Sequence, residues 1–163
     1  MYPHNILDLA EQVIKVCRDR GFKLALAESC TGGLVAGALS AVPGSSDVLE
    51  RGYVTYANEA KTEMLGVSVD LLASQGAVSE AVARAMAEGA IQSPNVDISV
   101  SITGIAGPGG GSDAKPVGLV HLASARTNAP TLHRSHTFPG DRQAIRLQAV
   151  TAAFELLLVQ SQP

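Results

Sequence analysis

The sequence predicts an α/β protein, a three-layer sandwich in which a mixed, mainly parallel sheet carries helices on both faces. Three observations lead there. Apolar runs of strand length alternate with amphipathic helical stretches through roughly the first hundred residues. The last three apolar runs follow one another through loops, with no helix between them. The runs "KLALAE" and "VDISVSITG" are dominated by apolar and small residues, as strands covered by helices above and below are.

Residues 5–20 place Ile6, Leu9, Ala10, Val13, Val16 and Cys17 at helical spacing, with the charged residues mostly elsewhere. Gly21 then supplies the left-handed residue that commonly ends a helix. "KLALAE" reads as a buried strand and "TGGLVAGALSAV" as a small-residue helix packed closely on it. "GYVTYA" is the expected second strand, followed by helical "NEAKTEMLG". Ser79 is a good N-cap for "EAVARAMAEGAIQ", in which Val82, Met86 and Ala90 share a face. "VDISVSITG" and "VGLVHLASA" are the next strands, and "TLHRSHTF" alternates as an edge strand does. Asp141 caps a last helix carrying Ile145, Ala149, Ala152 and Leu156.

A chain of 163 residues suits one compact domain. The net charge of -3, with no block of Lys or Arg, provides no footprint for nucleic acid or an anionic membrane, so neither is an expected partner. Only two cysteines occur, and Cys17 falls in an apolar helical pattern, which argues against a disulfide framework. With no basic start followed by an apolar stretch and no long apolar segment, a cytoplasmic location is expected. The small-residue helices and the apolar edge strand favour a homo-oligomer, a dimer or higher.

Three stretches carry residues suited to chemistry. "AESCTGG" follows a buried strand and opens a helix, the place where open α/β sheets gather ligands. Thr31 could simply cap that helix while Gly32 and Gly33 let it approach the sheet, but Glu28, Ser29 and Cys30 exceed what a cap needs. The second stretch runs from residue 43 to 61. Ser45 or Ser46 could be only a turn cap, and Lys61 only a solvated helix residue beside Glu59 and Glu63. Alternatively a buried lysine of depressed pKa accepts the proton of a serine nucleophile, Tyr56 relays that proton, and Asn58 orients a substrate. The third, residues 101–118, has six glycines able to close backbone N–H groups round an anion. It matches neither a P-loop nor a dinucleotide fingerprint, since no Gly-Lys-Ser/Thr follows and Ser112 stands where the last glycine belongs.

"FPGDRQAIR" sets Arg142 and Arg146 one helical turn apart near a helix start, a combination suited to a carboxylate or phosphate. His133 and His136 fall on opposite faces of their strand, and no Cys/His/acid spacing suggests a metal site, so no metal is expected.

Taken in order, "AESCTGG", "GSS", "ERGYVTYANEAK", "GAVSE", "TGIAGPGGGSDAKPVG" and "FPGDR" closely resemble the CinA C-terminal domain family, from about residue 5 to about residue 157. The resemblance implies an amidohydrolase of pyridine nucleotide recycling. It would act on nicotinamide mononucleotide, a small-molecule nucleotide substrate, to give nicotinic acid mononucleotide and ammonia, with no cofactor. Longer relatives carry an extra N-terminal domain resembling molybdopterin-binding proteins, whose activity is not expected of these 163 residues.

On that resemblance Ser46 is expected to attack the carboxamide, Lys61 to act as base, and Tyr56 to assist proton transfer. Ser29 is either an orienting hydroxyl or the nucleophile itself. Thr31, Gly32 and Gly33, facing Thr103, Gly104 and Gly107, would bind the ribose phosphate or line the pocket, and Arg142 would add the compensating charge. A nitrilase-like set of Cys30, Glu28 and Lys61 ranks below the serine mechanism. Two rival functions stand beside the enzyme: a competence- or DNA-damage-associated protein-binding module, and a regulator that holds a mononucleotide without cleaving it.

Overall fold

The structure is a computed structural model that describes residues 1–163. Five strands form one sheet in the order β2-β1-β3-β4-β5: β1 (Leu24–Glu28), β2 (Leu49–Val54), β3 (Ile98–Gly104), β4 (Leu119–Arg126) and β5 (Leu132–Thr137). Strand β1 pairs in parallel with both β2 and β3, whereas β3 with β4 and β4 with β5 pair antiparallel. Only β4 therefore opposes the other four strands, and the mixed sheet expected from the sequence is present.

Six helices cover the sheet: α1 (His4–Arg20), α2 (Leu34–Ser40), α3 (Asn58–Leu65), α4 (Val69–Gln75), α5 (Glu80–Ile91) and α6 (Arg142–Gln160). Alternation along the strands decides which face each helix takes. Leu24, Leu26, Ile98, Val100, Ile102, Val120 and Leu122 turn to one face and share a core with α1, α2 and α6. Ala25 and Ala27 turn to the other, against Leu65, Val67, Leu72, Val82 and Met86. Each large aliphatic side chain so buried contributes about 1.5–3 kcal/mol.

The α5 face is lined by small residues because the helix lies close to the strands. Ala83 and Ala87 meet Ala123 and Ala125. The hydroxyls of Ser99 and Ser101 donate to the carbonyls of Ala87 and Ala83, at 2.7 and 2.5 Å. Buried serines here are hydrogen-bonded packing groups, as burial of a polar atom requires.

Helix limits follow local chemistry. Asp141 and Ser79 cap α6 and α5 through Ala144 N–H and Val82 N–H, as the sequence predicts. Helix α2 starts at Leu34, three residues later than expected, because Gly32 and Gly33 hold left-handed backbone at φ 55° and 102°. Strand β2 begins and ends three residues earlier than "GYVTYA" suggests. Helix α4 was not anticipated, although Ser68 caps it through Leu71 N–H. No helix is long and apolar enough to cross a membrane.

The chain leaves β1 through α2 to reach β2 on one side, then returns through α3, α4 and α5 to β3 on the other. This reversal about β1 opens a crevice beyond the carboxyl ends of β1, β2 and β3, where sheets of this kind bind ligands.

Candidate active site

Backbone pairing runs past the strand ends and delivers two segments to that crevice. Ser29 N–H donates to Ile102 carbonyl at 2.9 Å, and Thr55 N–H to Glu28 carbonyl at 2.9 Å. Ser29 follows the same alternation as Ala25 and Ala27, so its side chain turns to the α3 side. There it meets Lys61, which projects inward from α3 and is only 1% exposed.

The Lys61 ammonium position is set by three oxygens. Nζ lies 2.7 Å from Thr55 carbonyl, 3.3 Å from Tyr56 carbonyl and 3.1 Å from Ser29 Oγ. No carboxylate forms an ion pair with it. Burial pushes the Lys61 pKa below the ordinary lysine value, and the nearby Cys30 thiol opposes this to a smaller extent. Nζ donates to the two carbonyls and to Ser29 Oγ. In the neutral amine the lone pair can replace that third donation and accept the Ser29 O–H.

A cleft of about 290 Å³ opens above this pair. Ser29, Cys30 and Lys61 border it, with Thr103 and Gly104 from β3, the 105–110 loop, and Tyr56 and Arg142. Arg142, the first residue of α6, donates to Gly107 carbonyl at 2.8 Å and to the Tyr56 hydroxyl at 3.0 Å. It thereby ties three chain segments together beside the cleft. Thr103 Oγ1 donates to Ala77 carbonyl at 2.8 Å and fixes the segment leading into α5. Gly107 must be glycine: its φ is 75°, and a Cβ would lie 2.5 Å from Val117 Cγ1.

Several expected site residues fall outside this cleft. Ser45 and Ser46 form a single 3₁₀ turn ahead of β2. Leu49, at the start of β2, is in register with Leu24, at the start of β1, so both serines lie at the end of the sheet opposite Lys61. Asn58 borders a separate surface groove between α3 and α4. Glu28 is 1% exposed and turns to the α2 side, where its carboxylate accepts Val35 N–H at 2.9 Å and Ala36 N–H at 3.1 Å. It stabilises the positive end of α2 and leaves no helix-start amide there for a phosphate. The Thr31 hydroxyl is buried without a partner, and Gly32 and Gly33 shape the turn without bordering the cleft.

Cys30 does border the cleft, but burial pushes its thiol pKa up to about 11. With Glu28 committed to α2, the Cys30, Glu28 and Lys61 set is not assembled as a reactive triad. No group of three or more His, Cys, Asp or Glu side chains is arranged to hold a metal ion.

Two features escaped sequence reasoning. One is the pair of carbonyls at Thr55 and Tyr56 that hold Lys61, which no side-chain pattern encodes. The other is Arg146, whose guanidinium donates at 3.0 Å to the carbonyls of both Cys30 and Thr31. Its spacing from Arg142 suggested an anion ligand, whereas the structure engages it with backbone.

Known proteins with the same arrangement of elements include the competence/damage inducible protein CihA from Agrobacterium tumefaciens. The two are 47% identical and superpose with a TM-score of 0.97 over 99% of each chain. The chain is also 47% identical over 160 residues to the nicotinamide-nucleotide amidohydrolase PncC of Escherichia coli strain K12, covering 98% of this chain and 97% of that one. A CinA-like protein of Geobacter sulfurreducens is 54% identical over 149 residues, which make up 91% of this chain but 35% of that longer protein. Residues 6–160 match the CinA C-terminal domain, and with these relatives across nearly its whole length the chain belongs to the CinA C-terminal domain family.

Proposed function

We propose that the protein is an amidohydrolase that converts nicotinamide mononucleotide and water to nicotinic acid mononucleotide and ammonia, with Ser29 as nucleophile and Lys61 as base. The observation that carries the mechanism is the buried Lys61 amine, free of any carboxylate, 3.1 Å from Ser29 Oγ. The substrate is supported by the 47% identity to PncC over nearly the full length of both chains.

In the first half-reaction Lys61 takes the Ser29 proton as Oγ bonds to the carboxamide carbon. Collapse of the tetrahedral adduct breaks the C–N bond, and the Lys61 ammonium returns the proton to departing ammonia. In the second, water attacks the resulting ester, Lys61 takes one of its protons, and cleavage of the C–Oγ bond releases the acid as Ser29 is reprotonated. The lysine ends each half-reaction neutral, which its burial favours. Tyr56 carries no proton in this scheme. Its hydroxyl accepts from Arg142, and its backbone carbonyl holds Lys61.

Arg142 is the guanidinium bordering the cleft, and it supplies charge for the single phosphate. Arg142→Ala is expected to raise KM about 10- to 100-fold with a smaller change in kcat, since a hydrogen bond to a charged group contributes about 1.5–3 kcal/mol. Initial rates over a range of substrate concentrations measure it, and an unchanged KM places the phosphate elsewhere.

The activity itself is tested by ammonia release from nicotinamide mononucleotide by the purified chain in EDTA, with the product identified by mass. Stoichiometric ammonia and nicotinic acid mononucleotide are expected. A folded protein that binds the mononucleotide without releasing ammonia would be a binding module.

A further inference from the structure

The tetrahedral adduct formed at Ser29 carries an oxyanion, and neither side chain of the Ser29–Lys61 pair is placed to stabilise it. Lys61 is occupied by the serine and two carbonyls. The amides at the start of α2 are held by Glu28. In the turn between them, residues 29–33, Ser29 N–H reaches Ile102 carbonyl and Gly32 N–H reaches Ser29 carbonyl, and just beyond it Leu34 N–H reaches Thr31 carbonyl. The Thr31 N–H, two residues after the serine, donates to no backbone acceptor, whereas the Cys30 N–H is turned to its own thiol and lowers that thiol's pKa.

Arg146 fixes the direction of the Thr31 amide. It reaches the turn from α6, donating to the carbonyls of Cys30 and Thr31 at 3.0 Å each, and it borders a different surface depression from the reaction cleft. In a trans peptide the carbonyl and the N–H point in opposite directions. Drawing the Cys30 carbonyl toward Arg146 therefore turns the Thr31 N–H away from α6, toward the sheet face on which Ser29 meets Lys61. The guanidinium also polarises these peptides, and its positive charge is felt at the Cys30 thiol.

We propose that the backbone N–H of Thr31 is an oxyanion donor of this reaction, and that Arg146, which holds the carbonyl of the same peptide, is the positioning residue that aims and polarises it. The inference rests on Ser29 being the nucleophile. It assigns the turn a role that a helix cap does not explain: a backbone N–H close behind the nucleophile and fixed in advance costs no reorganisation at the transition state.

The test separates ground-state binding from transition-state binding. For Arg146→Ala and Arg146→Lys, kcat is measured beside the Kd of two ligands: nicotinic acid mononucleotide, and the aldehyde analogue of the substrate. Ser29 Oγ adds to the aldehyde carbon with its proton passing to Lys61, leaving a tetrahedral oxyanion in the same place. Arg146→Ala is expected to lower kcat and aldehyde affinity each about 100-fold, the effect of weakening one such donor, while product affinity stays within about twofold. Arg146→Lys, which keeps a donor to one carbonyl, is expected to recover about tenfold of that loss. The lysine variant decides the matter if the alanine variant does not fold, by an intermediate kcat at unchanged product affinity. A fall in product affinity that matches the fall in kcat makes Arg146 a brace alone and overturns the proposal, as does a kcat close to that of the unaltered protein. Ser29→Ala distinguishes the two levels of argument. Turnover surviving that change sinks the serine mechanism itself, whereas its loss beside unaffected Arg146 variants sinks only the oxyanion assignment.

Discussion

Ser29→Ala is expected to lower kcat for ammonia release by about 10⁴-fold, while Ser46→Ala stays within about twofold of the unaltered protein. Ser29 leaves the carboxyl end of β1 and meets Lys61 there, whereas Ser46 precedes β2. Because β1 and β2 are parallel, the residue after one and the residue before the other lie at opposite ends of the pair. The length of β1, about 16 Å, lies between them. Steady-state ammonia release decides it, with circular dichroism to establish that each variant folds. Equal losses in the two variants, or loss in Ser46→Ala alone, would refute the assignment of the nucleophile.

That geometry also shows how much of the site the sequence held. Lys61, Tyr56, Thr103, Gly104, Gly107 and Arg142 all border or frame the cleft, and each had a chemical reason to be singled out: a base, hydroxyls, permissive backbone, a cation. The separation of Ser29 from Ser46 was legible too, but only through topology. A strand, a crossover helix and a second strand imply parallel pairing, and parallel pairing separates the two serines whatever their local motifs suggest. Helix α4 had its own signals, Ser68 as cap, Asp70 in the first turn and Gly76 at the end, but its seven residues are too few for a periodic pattern to stand out.

Other features depended on tertiary contacts that spacing does not carry. Glu28 looked like a substrate ligand because it stands in the motif. Its place on the strand gives it the parity of Leu24 and Leu26, and hence the α2 side. Thr55 acts through its carbonyl, which any residue provides. Arg146 shares a helix turn with Arg142, yet one guanidinium meets the cleft and the other clamps the turn that follows β1.

Lys61→Met is expected to reduce kcat by about 10³- to 10⁴-fold, and the pH dependence of the unaltered enzyme identifies the group responsible. The base must be neutral to accept the Ser29 proton, so kcat/KM rises with pH through the Lys61 pKa and levels off above it. Burial sets that pKa below the ordinary lysine value of about 10.4, which brings the rising limb closer to neutrality than a solvated lysine would. The same shift governs stability with a definite sign. Between the lowered pKa and about 10.4 the unfolded chain holds a proton at this position that the folded chain has released, so stability rises with pH across that window. Below it both states are protonated and the penalty is constant. In Lys61→Met both effects vanish together: residual turnover loses the rising limb assigned to Lys61, and the pH dependence of the thermal midpoint in that window flattens. A rising limb that persists unchanged in Lys61→Met would assign the titration to another group and remove Lys61 from the role of base.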